Sequence, residues 1–158
     1  MELISLTIKG ILLQDDSLQP YLIMQSFEGN RILPLSISAS SASQLILQIE
    51  NAEANHSGYF LSELWNKHHF LLKQLLIIKG RNYPYEGTLH YKKGLRKHRI
   101  SIPISSGISF AIHQKVPILT DISNTLLLTD YPIYNTNLDW ERGNLETIDS
   151  FRHDQPFM

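Results

Sequence analysis

The chain predicts a single α+β domain with a mixed or antiparallel sheet, two main helices, a short third helix and an irregular C-terminal tail. Three observations lead there. The 158 residues are about one domain's worth, and at 42% hydrophobic and 18% charged they can fill one core. Apolar residues recur with period two in some stretches and with helical spacing in others. The two kinds of stretch do not alternate strictly, which disfavours a doubly wound parallel sheet. The pattern places the domain at residues 1–128 and an acidic, irregular tail at 129–158, with no internal repeat.

The elements follow in order. Residues 2–9 alternate and read as a strand, closed by an Asp15-Asp16-Ser17 turn. Residues 21–27 form a second strand, and Glu28-Gly29-Asn30 turns it back. Residues 31–37 form a third, with Pro34 arguing for an edge position or a strand start. Ser38 or Ser40 can cap the helix that runs on to about Asn51, with Ala42, Leu45, Ile46 and Ile49 on one face. Residues 59–70 read as a second amphipathic helix with Phe60, Leu64 and His68 on its stripe. Residues 72–79 look like a buried strand. Residues 85–92 and 96–102 form a hairpin about Lys93-Gly94. Ile108, Ala111 and Ile112 mark a short helix, and Pro117-Ile118-Leu119 a short strand. The expected core is Leu3, Leu6, Ile8, Leu22, Ile37, Leu45, Ile46, Ile49, Leu64, Leu76, Ile78, Ile108 and Ala111.

Composition narrows the function. There is no cysteine, so disulfides and thiolate metal sites are excluded. The start, Met-Glu-Leu-Ile, has no basic region before an apolar run, and no apolar run is long enough to span a bilayer. The expectation is a cytoplasmic protein with no membrane partner. The net charge of −1 conceals an asymmetry. Residues 87–120 hold no acid but carry Lys92, Lys93, Arg96, Lys97, Arg99 and Lys115, whereas residues 121–158 hold seven acids. A basic middle and an acidic tail raise the question of a polyanionic partner.

The run from Leu33 to Ile46 reads as a strand entering a helix, and it resembles a Leu-Pro-Ile-x-Ile-Gly strand followed by a Glu-Ala helix start. With Gly10 after the first strand, residues 20–24 as the second, Gly87-Thr88-Leu89-His90-Tyr91, residues 108–112 and Pro117-Ile118, all in order, the chain resembles the bifunctional nuclease family of DNase/RNase-like domains. The resemblance covers residues 3 to 120. It implies three carboxylate positions for a divalent metal, and two of them are altered here. The glutamate position is Ser41. A Thr-His-Asp-Leu helix aligns with Leu61-Ser62-Glu63-Leu64, so Ser62 replaces histidine and Glu63 replaces aspartate. An Arg-Pro-Ser-Asp-Ala run aligns with residues 103–107, which puts Ser106 at its aspartate.

Phosphodiester hydrolysis near neutral pH generally needs an activated water and charge stabilisation on the phosphoryl oxygens, which carboxylate-held Mg²⁺ or Mn²⁺ supplies. A serine hydroxyl is a poor sole ligand for such an ion. Ser41, Ser62, Glu63 and Ser106 are therefore the candidate catalytic positions of a site that has lost most of its charge. The expected reading is a module that binds nucleic acid or a protein, with nuclease activity weakened or lost. No cofactor is expected. The alternative is an active divalent-metal-dependent DNase or RNase using Glu63, with Mg²⁺ or Mn²⁺.

Lys92, Lys93, Arg96, Lys97 and Arg99 are candidates for weak, non-specific phosphate contacts, with Tyr83, Tyr85 and above all Tyr91 placed to stack on unpaired bases. The plainer reading is a solvated hairpin. His68 and His69 are sequence neighbours and do not share a helix face, so they make no zinc pair. His98 and His113 lie on separate elements. Neither a Gly-x-Ser-x-Gly nor a Gly-rich phosphate loop occurs. Asp139-Trp140-Glu141 in the tail and the edge strand at Pro34 offer surface for a second copy, and a homodimer is expected.

Overall fold

A computed structural model of the chain describes residues 1–13, 18–50 and 57–130. The strands are β1 (Leu3–Leu13), β2 (Pro20–Ser26), β3 (Arg31–Ser36), β4 (Phe70–Lys79), β5 (Tyr85–Lys93), β6 (Arg96–Ile102), β7 (Ile118–Asp121) and β8 (Leu126–Leu127). The helices are α1 (Ala39–Glu50), α2 (Ser57–Lys67) and α3 (Ile104–Gln114), with short 3-10 turns either side of β8. All eight strands form one sheet in the order β6-β5-β4-β7-β1-β2-β3-β8. Its ladders are antiparallel except β4 with β7, so the domain is α+β with a mixed sheet. The third helix is as long as the second, eleven residues each. The acidic tail from residue 131 on, with Asp139-Trp140-Glu141, and the Asp15-Asp16-Ser17 turn lie outside the described residues.

One apolar cluster joins the three helices to one face of the sheet. It contains Ala42 and Leu45 of α1, Ile108, Phe110 and Ala111 of α3, and Leu6, Leu22, Leu33, Leu75 and Leu89 from the strands, with Leu61 and Trp65 of α2 against it. All three helices therefore cover the same face. On the other face of β1–β3, Leu12, Tyr21, Ile23 and Ile32 are also buried.

Pro34 sits where its missing N–H costs nothing. Strand β3 pairs with β8 only at Arg31 and Ile32, so beyond them its outer edge has no ladder bond to lose. Strand β1 runs on to Leu13, past the expected end at Lys9. A register shift between Ile8 and Gly10 absorbs an extra residue and lets Ile11 and Leu12 pair onward with β2.

Two sequence expectations change here. In β4, Leu75 and Ile77 point into the core, while Leu76 is half-buried and Ile78 exposed. Residues 75–78 are all apolar, so alternation cannot choose a face. The register shift between Leu72 and Gln74 chooses it. In α2 the inward stripe is Gly58, Leu61, Ser62 and Trp65, whereas Phe60 and Leu64 are exposed. Both stripes have helical spacing. The small residues Gly58 and Ser62 settle the matter, because they let α2 lie close against α3. Helix α2 also ends early, and His68 and His69 form the turn into β4, with His69 at a positive φ of 56°. Leu3 at a sheet end is exposed as well, and Ile8, Ile46 and Ile49 are half-buried.

Candidate functional site

Two strand-to-helix junctions meet at one place. The first is β3 into α1. Ser38 accepts a hydrogen bond from the Ser41 backbone N–H at 3.1 Å, which makes Ser38 the cap of α1 and satisfies one of its free donors. The second is β6 into α3, where Pro103 starts the helix with no side-chain cap. Ser41 donates across the gap to Ser105 at 3.2 Å.

The hydroxyls form a directed chain. Ser38 donates to Ser41 at 2.8 Å, and Ser40 lies 3.0 Å from Ser38. A serine has one proton. With Ser38's proton committed to Ser41, Ser40 must donate to Ser38. Protons therefore point from Ser40 through Ser38 and Ser41 to Ser105, whose own proton has no acceptor among the described residues.

This cluster borders a pocket of about 690 Å³. Leu35, Ile37, Ile102 and Ile104 give it apolar surface, with Tyr83 and Pro84 from the turn before β5 and Tyr85 from its first position. Burial raises the Tyr85 hydroxyl above the usual tyrosine range. That hydroxyl donates to the Asn124 carbonyl at 3.4 Å. Among the described residues Glu86 is the one acid in the wall, and no lysine or arginine contributes. The Glu86 side chain lies over Gly80, where an added Cβ would come within 2.8 Å of its Cγ.

The expected site residues divide. Ser41 lines the pocket; Ser105 does so in place of its neighbour Ser106, which is half-buried. Ser62 is 0% exposed between α2 and α3, and its hydroxyl has no hydrogen-bond partner among the described residues. Glu63 is exposed on α2 and is not part of the pocket wall. Sequence reading named Tyr83 and Tyr85 only as neighbours of the basic hairpin and missed Glu86 and Ser105. The turn at Tyr83 and the start of β5 are separated from β3 by four strands of the sheet, and they meet α1 only because α3 packs beside it.

The donor set does not fit a divalent metal. Mg²⁺ and Mn²⁺ favour carboxylate oxygens. One acid and a row of neutral hydroxyls supply too little charge. Among the described residues no three His, Asp or Glu side chains gather to hold an ion. His98 stacks on Tyr91 at 5.2 Å, while His113 packs edge-on to Tyr59 at 5.6 Å.

The basic hairpin is sorted by its register. Lys92 faces Lys97, and His90 faces Arg99. These four share the sheet face opposite the helices, because Gly87, Leu89 and Ile102, at the alternate positions, pack toward α3. Lys93 pairs with Arg96 on the helix side, and the Lys93 ammonium lies 5.3 Å from the Phe70 ring centre. Tyr91 is also on that side. It packs edge-on to Trp65 at 4.9 Å and stacks on His98. It is therefore not free to stack on a base beside Lys92, Lys97 and Arg99. His90 holds its proton less readily than usual, first through burial and then through the nearby Arg99. Its Nδ1 is 3.2 Å from the Gln74 amide.

Comparison with known families gives a match. The bifunctional nuclease domain matches residues 22–125. Those residues run from β2 to the 3-10 turn before β8 and include the whole pocket wall and the basic hairpin. No curated protein matches the chain.

Proposed function

The chain belongs to the bifunctional nuclease domain family, and from that premise we propose that it is a nucleic-acid-binding module in which phosphodiester hydrolysis is weakened or lost. The observation that carries the reading is the register of β5 and β6. It gathers Lys92, Lys97 and Arg99 on a part of the sheet that no described helix covers. Three cations on a strand face suit a phosphate backbone and carry no base sequence preference. The loss of hydrolysis is supported by the pocket's donors, since serine hydroxyls stand at Ser41 and Ser105 and Glu86 is the only acid among the described residues of the wall. The protein is proposed to act in the cytoplasm and as a homodimer.

A labelled single-stranded oligonucleotide, followed by fluorescence anisotropy over a range of salt, tests the binding. Three phosphate contacts give a log–log salt slope of roughly −2. Replacing Lys92, Lys97 and Arg99 by Ala should abolish binding, while Lys93→Ala with Arg96→Ala leaves most of it. Absence of binding at low salt puts a protein partner in its place. Mn²⁺-dependent cleavage that is lost in Glu63→Ala restores the enzyme reading.

The same face carries a pH expectation. His90 is neutral near pH 7 because burial and Arg99 lower its pKa. A bound phosphate favours the protonated ring, so affinity should rise as pH falls through that lowered pKa. His90→Gln should flatten this dependence. A pH response unchanged in His90→Gln would assign it elsewhere.

A further inference from the structure

We propose that the pocket between the starts of α1 and α3 receives one unpaired nucleobase of a bound strand, a proposal that rests on the nucleic-acid reading above. Its volume of about 690 Å³ falls within the span typical of small-ligand sites. Its chemistry is that of a flat, neutral, acceptor-bearing ring. Ile102 and Ile104 provide apolar surface, and Tyr83 and Tyr85 provide aromatic faces. Tyr83 is 70% exposed and has room to lie over a ring. The Ser105 proton at the end of the hydroxyl chain is a donor for a base carbonyl or ring nitrogen. With no lysine or arginine among the described residues of its wall, the pocket suits the base better than the phosphate.

Position links it to the cations. Ser101 belongs to the pocket wall, and it shares a strand face with Arg99 and Lys97 on β6. Residues two apart on a strand are about 6.6–6.8 Å apart. Strand β6 is the edge of the sheet, so a backbone lying on Lys97 and Arg99 reaches the pocket by passing around the end of β6 at Ser101 and Ile102, where a base can turn in toward the helix side.

The test compares an oligonucleotide with one of the same length and charge made of abasic nucleotides. The abasic strand should bind with the same salt slope but about tenfold or more weaker, the worth of one stacked base. Tyr83→Ala should impose that loss on the natural strand and none on the abasic one. Its exposure makes misfolding an improbable cause, and Ser105→Ala should give a smaller loss of the same pattern. If both strands bind equally and Tyr83→Ala changes neither, the pocket proposal falls and the cationic face stands. If neither strand binds, free adenosine and cytidine are titrated against tyrosine emission. Quenching that disappears in Tyr83→Ala keeps the pocket, and no quenching overturns it together with the reading beneath it.

Discussion

Phe110→Ala should cost about 3–5 kcal/mol, the range for removing a fully buried aromatic ring. Phe110 is 0% exposed and is the largest of the fully buried side chains. Its ring centre lies 5.2 Å from that of Trp65 in an edge-to-face contact, and Trp65 continues to Phe70 and Tyr91. Removing it opens a cavity where α2, α3 and the sheet meet, and it also takes away a ring contact that the remaining three cannot replace. Against a total stability of roughly 5–15 kcal/mol, this is a large fraction. The melting temperature should fall by roughly 10–20 °C. A loss below about 1 kcal/mol, the mark of a surface residue, would mean that α3 is not packed on the sheet as described.

Gly58→Ala should destabilise the protein although it replaces glycine inside a helix. Helix propensity alone favours alanine by up to about 1 kcal/mol. A Cβ at Gly58, however, would lie 2.6 Å from the Ser109 hydroxyl oxygen, 2.7 Å from its carbonyl oxygen and 2.8 Å from its carbonyl carbon. Two of those atoms are backbone and cannot rotate away. Ser109 is held from the other side too, because its hydroxyl donates to Gln48 at 2.6 Å and the Gln48 amide donates to its carbonyl at 2.8 Å. Helix α2 must move off α3, at about 1–3 kcal/mol. The overpacking exceeds the propensity gain, and urea midpoints should drop with an unchanged slope. A rise in the midpoint would show that the two helices yield easily.

Local chemistry was readable where a side chain bonds its own backbone neighbourhood. The Ser38 cap, the Glu28-Gly29-Asn30 turn and the Lys93-Gly94 hairpin follow from residue type and short spacing. Faces were readable only where one face alone was apolar. Residues 75–78 and the two competing stripes of α2 offered no such asymmetry, so tertiary fit decided them. The candidate site was half legible. Ser41 sits at a junction that its own sequence announces. Ser105, Tyr83 and Glu86 join it only through the packing of α3 beside α1, which no local pattern records.

Strand β7 has a consequence for how the chain comes together during synthesis. It is four residues long, follows six strands and all three helices, and joins β1 to β4. Until residues 118–121 leave the ribosome, the meander β1–β3 and the meander β4–β6 are separate sheets, each with an open inner edge. Those edges include Leu75, Ile77 and Leu6, which are buried once the sheet is joined. Unpaired apolar edges invite pairing with the wrong chain. The nascent protein is thus most prone to aggregate late in translation, when nearly all of its sheet has been made and its central strand has not.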